Sequence, residues 1–379
     1  MKTIRFKLVI GISLAFGAAA EMHAQYVTAG IHSIDTPFDP RSIAAGESFV
    51  AVRGNRYASM YNPAGLSGIE GYGVSFSRRN FNHLSLTSTW KYIAFTGTVS
   101  TPLADFSIVY NRFHQAEFEV TTEQNPDGTG DRVRVSDYLL GLGAGMEIID
   151  GIDVGLQVKT FRPVAEVTAG SYQGGKFNNP LLLDAGVIGS LDGEFANTSV
   201  GYSLAGGIAF QNFGTDLIAE TTNLLGGTSK YVSPLPRLWR TGLSFGISTP
   251  RLVELGLSPV SIMVTTEYRV VLNSLYDPNE HFWGFGSELT VLEIFTGRIG
   301  AFIPSVTSIY GVRNEPWLRF CLGLRVPLGL MGIDPFSLRL DYSSIPLNTR
   351  IPFFPLENTT LHAFSLELVY ERDLFGSLE

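Results

Sequence analysis

Ser261-Ile-Met-Val-Thr-Thr-Glu-Tyr-Arg-Val-Val-Leu272 separates into two phases. Ile262, Val264, Thr266, Tyr268, Val270 and Leu272 form one. Ser261, Met263, Thr265, Glu267, Arg269 and Val271 form the other. Successive side chains of a strand point to opposite faces, so this pattern describes a strand with one apolar face and one face carrying the charge. A helix, with its 3.6-residue period, would not sort the residues this way.

The same sorting recurs along the chain. Val154, Leu156, Val158 and Thr160 alternate with Asp153, Gln157 and Lys159. Thr241, Leu243, Phe245 and Ile247 alternate with Arg240, Ser244 and glycines. Phe320, Leu322, Leu324 and Val326 alternate with Arg319, Cys321 and Arg325. Leu338, Leu340 and Tyr342 alternate with Arg339 and Asp341, and Phe364, Leu366, Leu368 and Tyr370 with Ser365, Glu367 and Glu371. Counting the opening stretch, all eleven Asp, Glu, Lys and Arg residues fall opposite the apolar phase. Phe106–Val120 is less regular, because Ile108 and Tyr110 share a phase with Arg112. That fits a strand whose apolar band ends before Arg112.

Two architectures produce such alternation: a soluble sandwich with the apolar phase inside, and a transmembrane barrel with that phase against lipid. The barrel is favoured. About fourteen alternating segments lie between Gly71 and Arg372, each near the ~10 residues a membrane strand needs. The polar phase is rich in Gly and Ser. Aromatic residues (Trp90, Tyr92, Tyr202, Phe210, Trp283, Tyr342, Tyr370) sit near segment ends, where interfacial girdles belong.

Composition agrees. Charged residues are 16% of the 379 positions, aromatics 12%, and glycines number 41. Disorder requires the opposite balance of charge and aromatics. A formal charge of -8 without any Lys/Arg run argues against a nucleic-acid partner. The lone Cys321 forms no intramolecular disulfide and no Cys-rich metal site. Residues 1–24 read as a secretory signal peptide: Lys2, Arg5 and Lys7 precede the apolar run Leu8–Ala20, and cleavage is expected after Ala24 or Ala20.

Residues 26 to 70 do not alternate. Asn55 is placed to cap a short helical turn before Tyr61-Asn62-Pro63-Ala64-Gly65-Leu66. Pro63 removes a backbone donor and holds Asn62 extended, while Gly65 permits a reversal. On physics alone this is an ordinary helix stop. The stretch Arg41-Ser-Ile-Ala-Ala-Gly46 through Asn62-Pro-Ala-Gly-Leu66 nevertheless resembles the N-terminal signature of the FadL-like outer-membrane family, and most closely its PorV/PorQ-type branch. Pro234-Leu-Pro-Arg-Leu-Trp-Arg-Thr-Gly-Leu243, Thr266-Glu-Tyr-Arg269 and Ser337-Leu-Arg-Leu-Asp-Tyr342 add weaker matches. The resemblance implies an all-β, transmembrane antiparallel β-barrel of about 14 strands with an N-terminal hatch segment inside the lumen. The organisation is then signal peptide 1–24, hatch 25–70 and barrel 71–379. The chain departs from the family pattern at Asn55, where an acidic residue is common, and in the nine residues that follow Tyr370. Phe375 is a candidate terminal aromatic in that tail.

Enzyme signatures fail in context. Gly242-Leu-Ser244-Phe-Gly246 has the nucleophile-elbow spacing but lies inside an alternating strand rather than at a strand-to-helix turn. Gly170 to Lys176 has P-loop spacing, yet Phe177 stands where Ser or Thr would hold Mg²⁺. The six His are scattered, with His362 at a strand start. No catalytic residue, metal site or cofactor is therefore expected. The residues expected to bind ligand or to gate are Asn62, Pro63, Ala64 and Gly65, with Glu267, Arg269, Arg325, Arg339 and Asp341 on the polar phase. These charges, with Glu367, are expected to pair across neighbouring strands. Outer-membrane lipid is one expected partner. The resemblance implies two functions: passage or binding of hydrophobic small molecules, or docking of exported proteins as a component of type IX secretion.

Overall fold

The structure is a computed structural model that describes residue 34 and residues 38–82, 89–119, 132–167, 176–222, 228–252, 257–273, 280–308, 311–313, 317–333, 335–351 and 354–370. The expected signal peptide and the tail with Phe375 lie outside them.

The strands are β1 (Tyr72–Asn82), β2 (Thr89–Ser100), β3 (Asp105–Glu119), β4 (Arg132–Ile149), β5 (Ile152–Val167), β6 (Lys176–Phe177), β7 (Leu181–Glu194), β8 (Gly201–Gly214) and β9 (Leu217–Thr222). They continue as β10 (Thr228–Ser233), β11 (Leu238–Ser248), β12 (Val260–Val271), β13 (His281–Val291), β14 (Phe295–Ser308), β15 (Gly311–Arg313), β16 (Trp317–Pro327), β17 (Phe336–Ile351) and β18 (Phe354–Tyr370). The main sheet runs β13-β12-β11-β8-β7-β5-β4-β3-β2-β1-β18-β17-β16-β14, and a β13–β14 pairing closes it. The result is a closed antiparallel barrel of 14 strands. Among the described residues short β15 pairs only with β14, and β6, β9 and β10 form a separate three-stranded sheet.

The two phases face as their chemistry demands. On β12, Ile262 is 45% and Val264 50% exposed, whereas Thr265, Glu267 and Arg269 are buried. Val74, Phe95, Leu142, Leu156, Leu243, Phe285, Leu322 and Leu340 extend this accessible apolar surface around the barrel. Its extent is far beyond what a water-facing monomer exposes, and it is the surface a bilayer requires. Ten of the eleven sorted charges fall on described side chains. All ten are buried or half-buried on the inner face; Glu371 lies outside. Among the described residues no helix is long and apolar enough to cross a membrane.

Two expectations are corrected. Tyr92 is not a girdle residue: it points into the lumen, is fully buried, and stacks on Phe38. His362 lies well inside β18 rather than at its start, with its ring nitrogen 2.7 Å from the Tyr342 hydroxyl.

Strands joined by residues 101–104, 150–151, 195–200 and 292–294 turn tightly at one end of the barrel. The opposite end carries longer connections, including the one from β8 to β11 that holds β9 and β10. Short turns belong to the periplasmic side of such barrels and long loops to the outside. The glycines of the polar phase have a packing reason. A β-carbon at Gly155 would run into Pro63, one at Gly207 into Val50, and one at Gly284 into the Gly46 carbonyl. The N-terminal segment lies directly against the inner wall at these points.

Candidate functional site

The segment is built from local capping. Asp39 accepts a hydrogen bond from Ser42 N at 2.8 Å and starts a one-turn helix, Pro40–Ala44, with Pro40 at its first position. This is the place where the missing N–H of proline costs nothing. Tyr61 OH also donates to Asp39, at 2.6 Å. Burial pushes the Asp39 carboxyl up, against the pull of these donors. Gly46 and Glu47 then adopt positive φ, 64° and 63°, which turns the chain and carries the Glu47 carboxylate to the wall. Arg319 Nη1 donates to Glu47 at 2.6 Å, and Arg269 Nη1 at 3.2 Å. Burial alone would raise this carboxyl, but the two guanidiniums outweigh it and hold it down to about 2.

Glu267 takes the next contact. Its Oε2 accepts from Phe49 N and Val50 N, both at 2.9 Å, and its Oε1 accepts from Arg240 Nε at 2.7 Å. A carboxylate buried to this degree needs such saturation. Further toward the short-turn end, Arg41 forks onto Glu288 at 2.9 and 3.1 Å. Glu288 also accepts from Arg298, which pairs with Asp341. Arg56 pairs with Glu367 at 2.9 Å and Arg53 with Asp153 at 2.6 Å.

Asn55 does not cap the turn as expected: its Oδ1 accepts from Tyr57 N at 3.1 Å, two residues on, but the N-cap of the 3-10 turn Ala58–Met60 is Tyr57, which carries no side-chain cap. Asn62 opens a second 3-10 turn, Pro63–Leu66, and its Oδ1 accepts from Ala64 N at 3.1 Å. Its Nδ2 donates to Val50 O at 2.7 Å, with Val187 O and Ile208 O at 3.3 and 3.4 Å. One side chain therefore caps the turn and ties it to both the segment and the wall. Gly65 is needed because a β-carbon there would press on Val52 O.

The lumen has two zones. Tyr92, Phe113, Leu139, Phe161, Leu182 and Leu235 are buried toward the long-loop end and pack with Phe38, Phe49 and Met60 of the segment. Charge concentrates on β11–β18 and toward the short-turn mouth. That mouth holds two polar cavities of about 220 and 390 Å³, with Arg41, Arg325, Arg339 and Asp341 lining both.

The polar-phase residues expected from sequence are thus all placed. Glu267 with Arg240, and Arg339 with Glu367 at 3.7 Å, pair across neighbouring strands as expected. The others do not. Arg269 binds Glu47 of the segment, Asp341 binds Arg298 two strands away, and Arg325 reaches Glu293 in the β13–β14 turn at 3.4 Å. Sequence reasoning put Arg319 on the polar phase without naming it as a site residue, and missed Arg41, Glu47, Glu288 and Arg298; for these the Asp39-Pro40 helix start was the one local signal.

No protein-family model matches the chain, and no curated protein does. Among solved structures, the toluene transporter TodX of Pseudomonas putida is similar at 10% identity, covering 86% of this chain and 96% of that one, with a TM-score of 0.48. A Pseudomonas aeruginosa FadL homologue is similar at 11% identity, covering 92% and 99%, with a TM-score of 0.48. The translocator domain of the autotransporter NalP from Neisseria meningitidis covers 81% and 90% at 10% identity, with a TM-score of 0.37.

Proposed function

We propose that the chain is a Gram-negative outer-membrane barrel of FadL-like type that passes or binds hydrophobic small molecules, with residues 25–70 as its hatch. The observation that carries this reading is the apolar zone inside the lumen. The barrel already satisfies the bilayer with its outer face, so folding in lipid does not call for aromatic and aliphatic side chains inside. Phe113, Leu139, Phe161 and Leu182 on the wall pack against Phe38 and Met60 of the segment, and displacing the segment would open to a hydrophobic solute the apolar surroundings it prefers. Upstream of its peptide connection to β1, the segment is held by packing, hydrogen bonds and ion pairs alone, so it can be displaced. In this reading Asn62, Pro63, Ala64 and Gly65 seat the hatch, and Glu267 and Arg269 latch it.

The test is permeation in liposomes. Deleting residues 26–60 is expected to leave a folded barrel with raised permeability to small solutes. Unchanged permeability of a folded deletion variant would remove the hatch from the reading.

A second reading, docking of exported proteins as in the PorV/PorQ branch, is favoured by one feature. Beyond the barrel at its long-loop end, β10 is an edge of the three-stranded sheet, and Tyr231 and Val232 on it are each 58% exposed. Identifying the proteins and lipids that co-purify from the outer membrane separates the two.

A further inference from the structure

We propose that the outward wall of β1–β5, toward the long-loop end, binds the phosphate headgroup of an anionic membrane lipid. This rests on the membrane-barrel reading above and deepens it by naming a lipid chemistry and a place. Strand pairing sets the residues in one row around the sheet. Phe364, Arg78, Ile93, Arg112, Tyr138 and Arg162 are successive cross-strand partners from β18 to β5. They share the phase of Val74, Phe95, Ile108, Leu140 and Val158, all exposed on the outer wall. Arg112 departs from the inward sorting of charges because it belongs to this row. Lys91 stands one row nearer the loops, on β2 between Arg78 and Arg112. Lys91 and Arg162 are exposed, and Arg78 and Arg112 half-buried. In this row, and in the next from His362 to Val164, every outward position from β18 to β5 is described and none is Asp or Glu.

The local contacts leave these cations available. Arg78 Nε donates to Asn80 at 3.1 Å, and the Arg112 guanidinium lies over the Tyr138 ring at 5.2 Å. Both contacts orient a side chain along the wall without neutralising it. An aromatic chain marks the level. Phe76, Phe95, Tyr110 and Tyr138 follow one another with ring centroids 5.1, 6.4 and 6.4 Å apart, and reach the row at Tyr138. Such aromatics sit at the headgroup level of a bilayer, where a lipid-facing charge costs far less than at the midplane. Across the barrel, outward Trp239, Tyr268 and Trp283 pack on one another instead, so the basic row belongs to one side. Strands lie about 4.8 Å apart, which sets arginines on alternate strands about 10 Å apart. Their stems can lie along apolar surface while the heads reach polar groups. Guanidinium forks recognise phosphate with two parallel hydrogen bonds. The short turns belong to the periplasmic side, so the lipid is one of the outer leaflet.

The test uses the full chain folded in a nonionic detergent. Phosphatidylglycerol, bisphosphorylated lipid A or zwitterionic phosphatidylcholine is added to the micelles, and sodium phosphate is added separately. Native mass spectrometry reads the lipid retained, and thermal unfolding reads the stabilisation. Saturable retention of phosphatidylglycerol or lipid A is expected, with phosphatidylcholine and free phosphate without effect. Each basic side chain near an anionic lipid surface contributes about fivefold in affinity, so Lys91→Gln, Arg112→Gln and Arg162→Gln should each weaken retention by about that factor. These variants should fold, because the side chains project from the outer wall. Lys230→Gln, on β10 beside Glu220, should leave retention unchanged. Equal retention of phosphatidylcholine, a matching effect of free phosphate, or unchanged affinity in an Arg112→Gln, Arg162→Gln double variant would overturn the assignment. Insertion into phosphatidylcholine vesicles separates this site from the membrane reading. An inserted chain without lipid preference removes the headgroup site alone, whereas a chain that does not insert removes both.

Discussion

The Asn62 side chain occupies the space that a β-carbon at Gly186 would fill. The seat of the Asn62-Pro63 turn is therefore made by the absence of a side chain on β7. Gly186→Val should unseat the turn or strain the wall, lowering stability by about 1–3 kcal/mol, the usual cost of overpacking. Gly297→Ala, where the added carbon meets nothing within 4 Å, is the control. Chemical unfolding of both variants in detergent checks the difference.

Leu340 and Arg339 are neighbours on β17 that face opposite ways, Leu340 41% exposed on the outer wall and Arg339 inside. Leu340→Arg should cost about 2–4 kcal/mol if the position lies near the bilayer midplane. Arg339→Leu should be tolerated far better. Heat-modifiable gel mobility after refolding into lipid vesicles reports both, and equal effects would refute the lipid-facing assignment.

Glu47 sets a pH dependence. Its carboxyl is held down to about 2 from an ordinary value of 4.5. A depressed carboxylate contributes stability that is complete above its unfolded pKa and is lost as pH falls through the folded value. The loss should therefore run from about pH 4.5 down to about 2. Asp39, whose pKa is raised, works in the opposite sense, so the wild-type curve alone is a mixture. The difference between wild type and Glu47→Gln isolates the Glu47 contribution. That difference should be largest at neutral pH, on the order of 2–4 kcal/mol, and should shrink below pH 4.

Glu267 joins Arg240 of the wall to Phe49 and Val50 of the N-terminal segment. Removing one partner of a buried ion pair costs about 3–5 kcal/mol, because the other charge is left uncompensated. Glu267→Gln should show a cost of this order. Replacing Arg240 and Glu267 together with apolar residues of similar size should cost markedly less. A double-mutant cycle by thermal unfolding measures the coupling. If the segment is a hatch, solute leakage through Glu267→Gln should also rise.

The barrel was legible because its signal is local. A period of two along Ser261–Leu272 needs no knowledge of the rest of the chain, since every strand in a bilayer must turn its apolar side chains outward. The inward placement of Arg240, Glu267, Arg319 and Asp341 follows from the same rule, while the turn at Asn62-Pro63 follows from local capping and proline geometry. Tyr92 was misjudged because an aromatic near a strand end suits a girdle and a lumen equally well, and only its phase within the closed sheet separates the two.

The sequence by itself determined the strands, their two faces, the side on which the charge lies and the capped turns before β1. Tertiary structure alone decided the partners: Glu47 with Arg319, Arg41 with Glu288, and Arg325 opposite Arg339. The physical reason is range. Alternation and capping act over a few residues, whereas an ion pair spanning 272 positions, as between Glu47 and Arg319, depends on how the sheet closes and how deeply the N-terminal segment enters it.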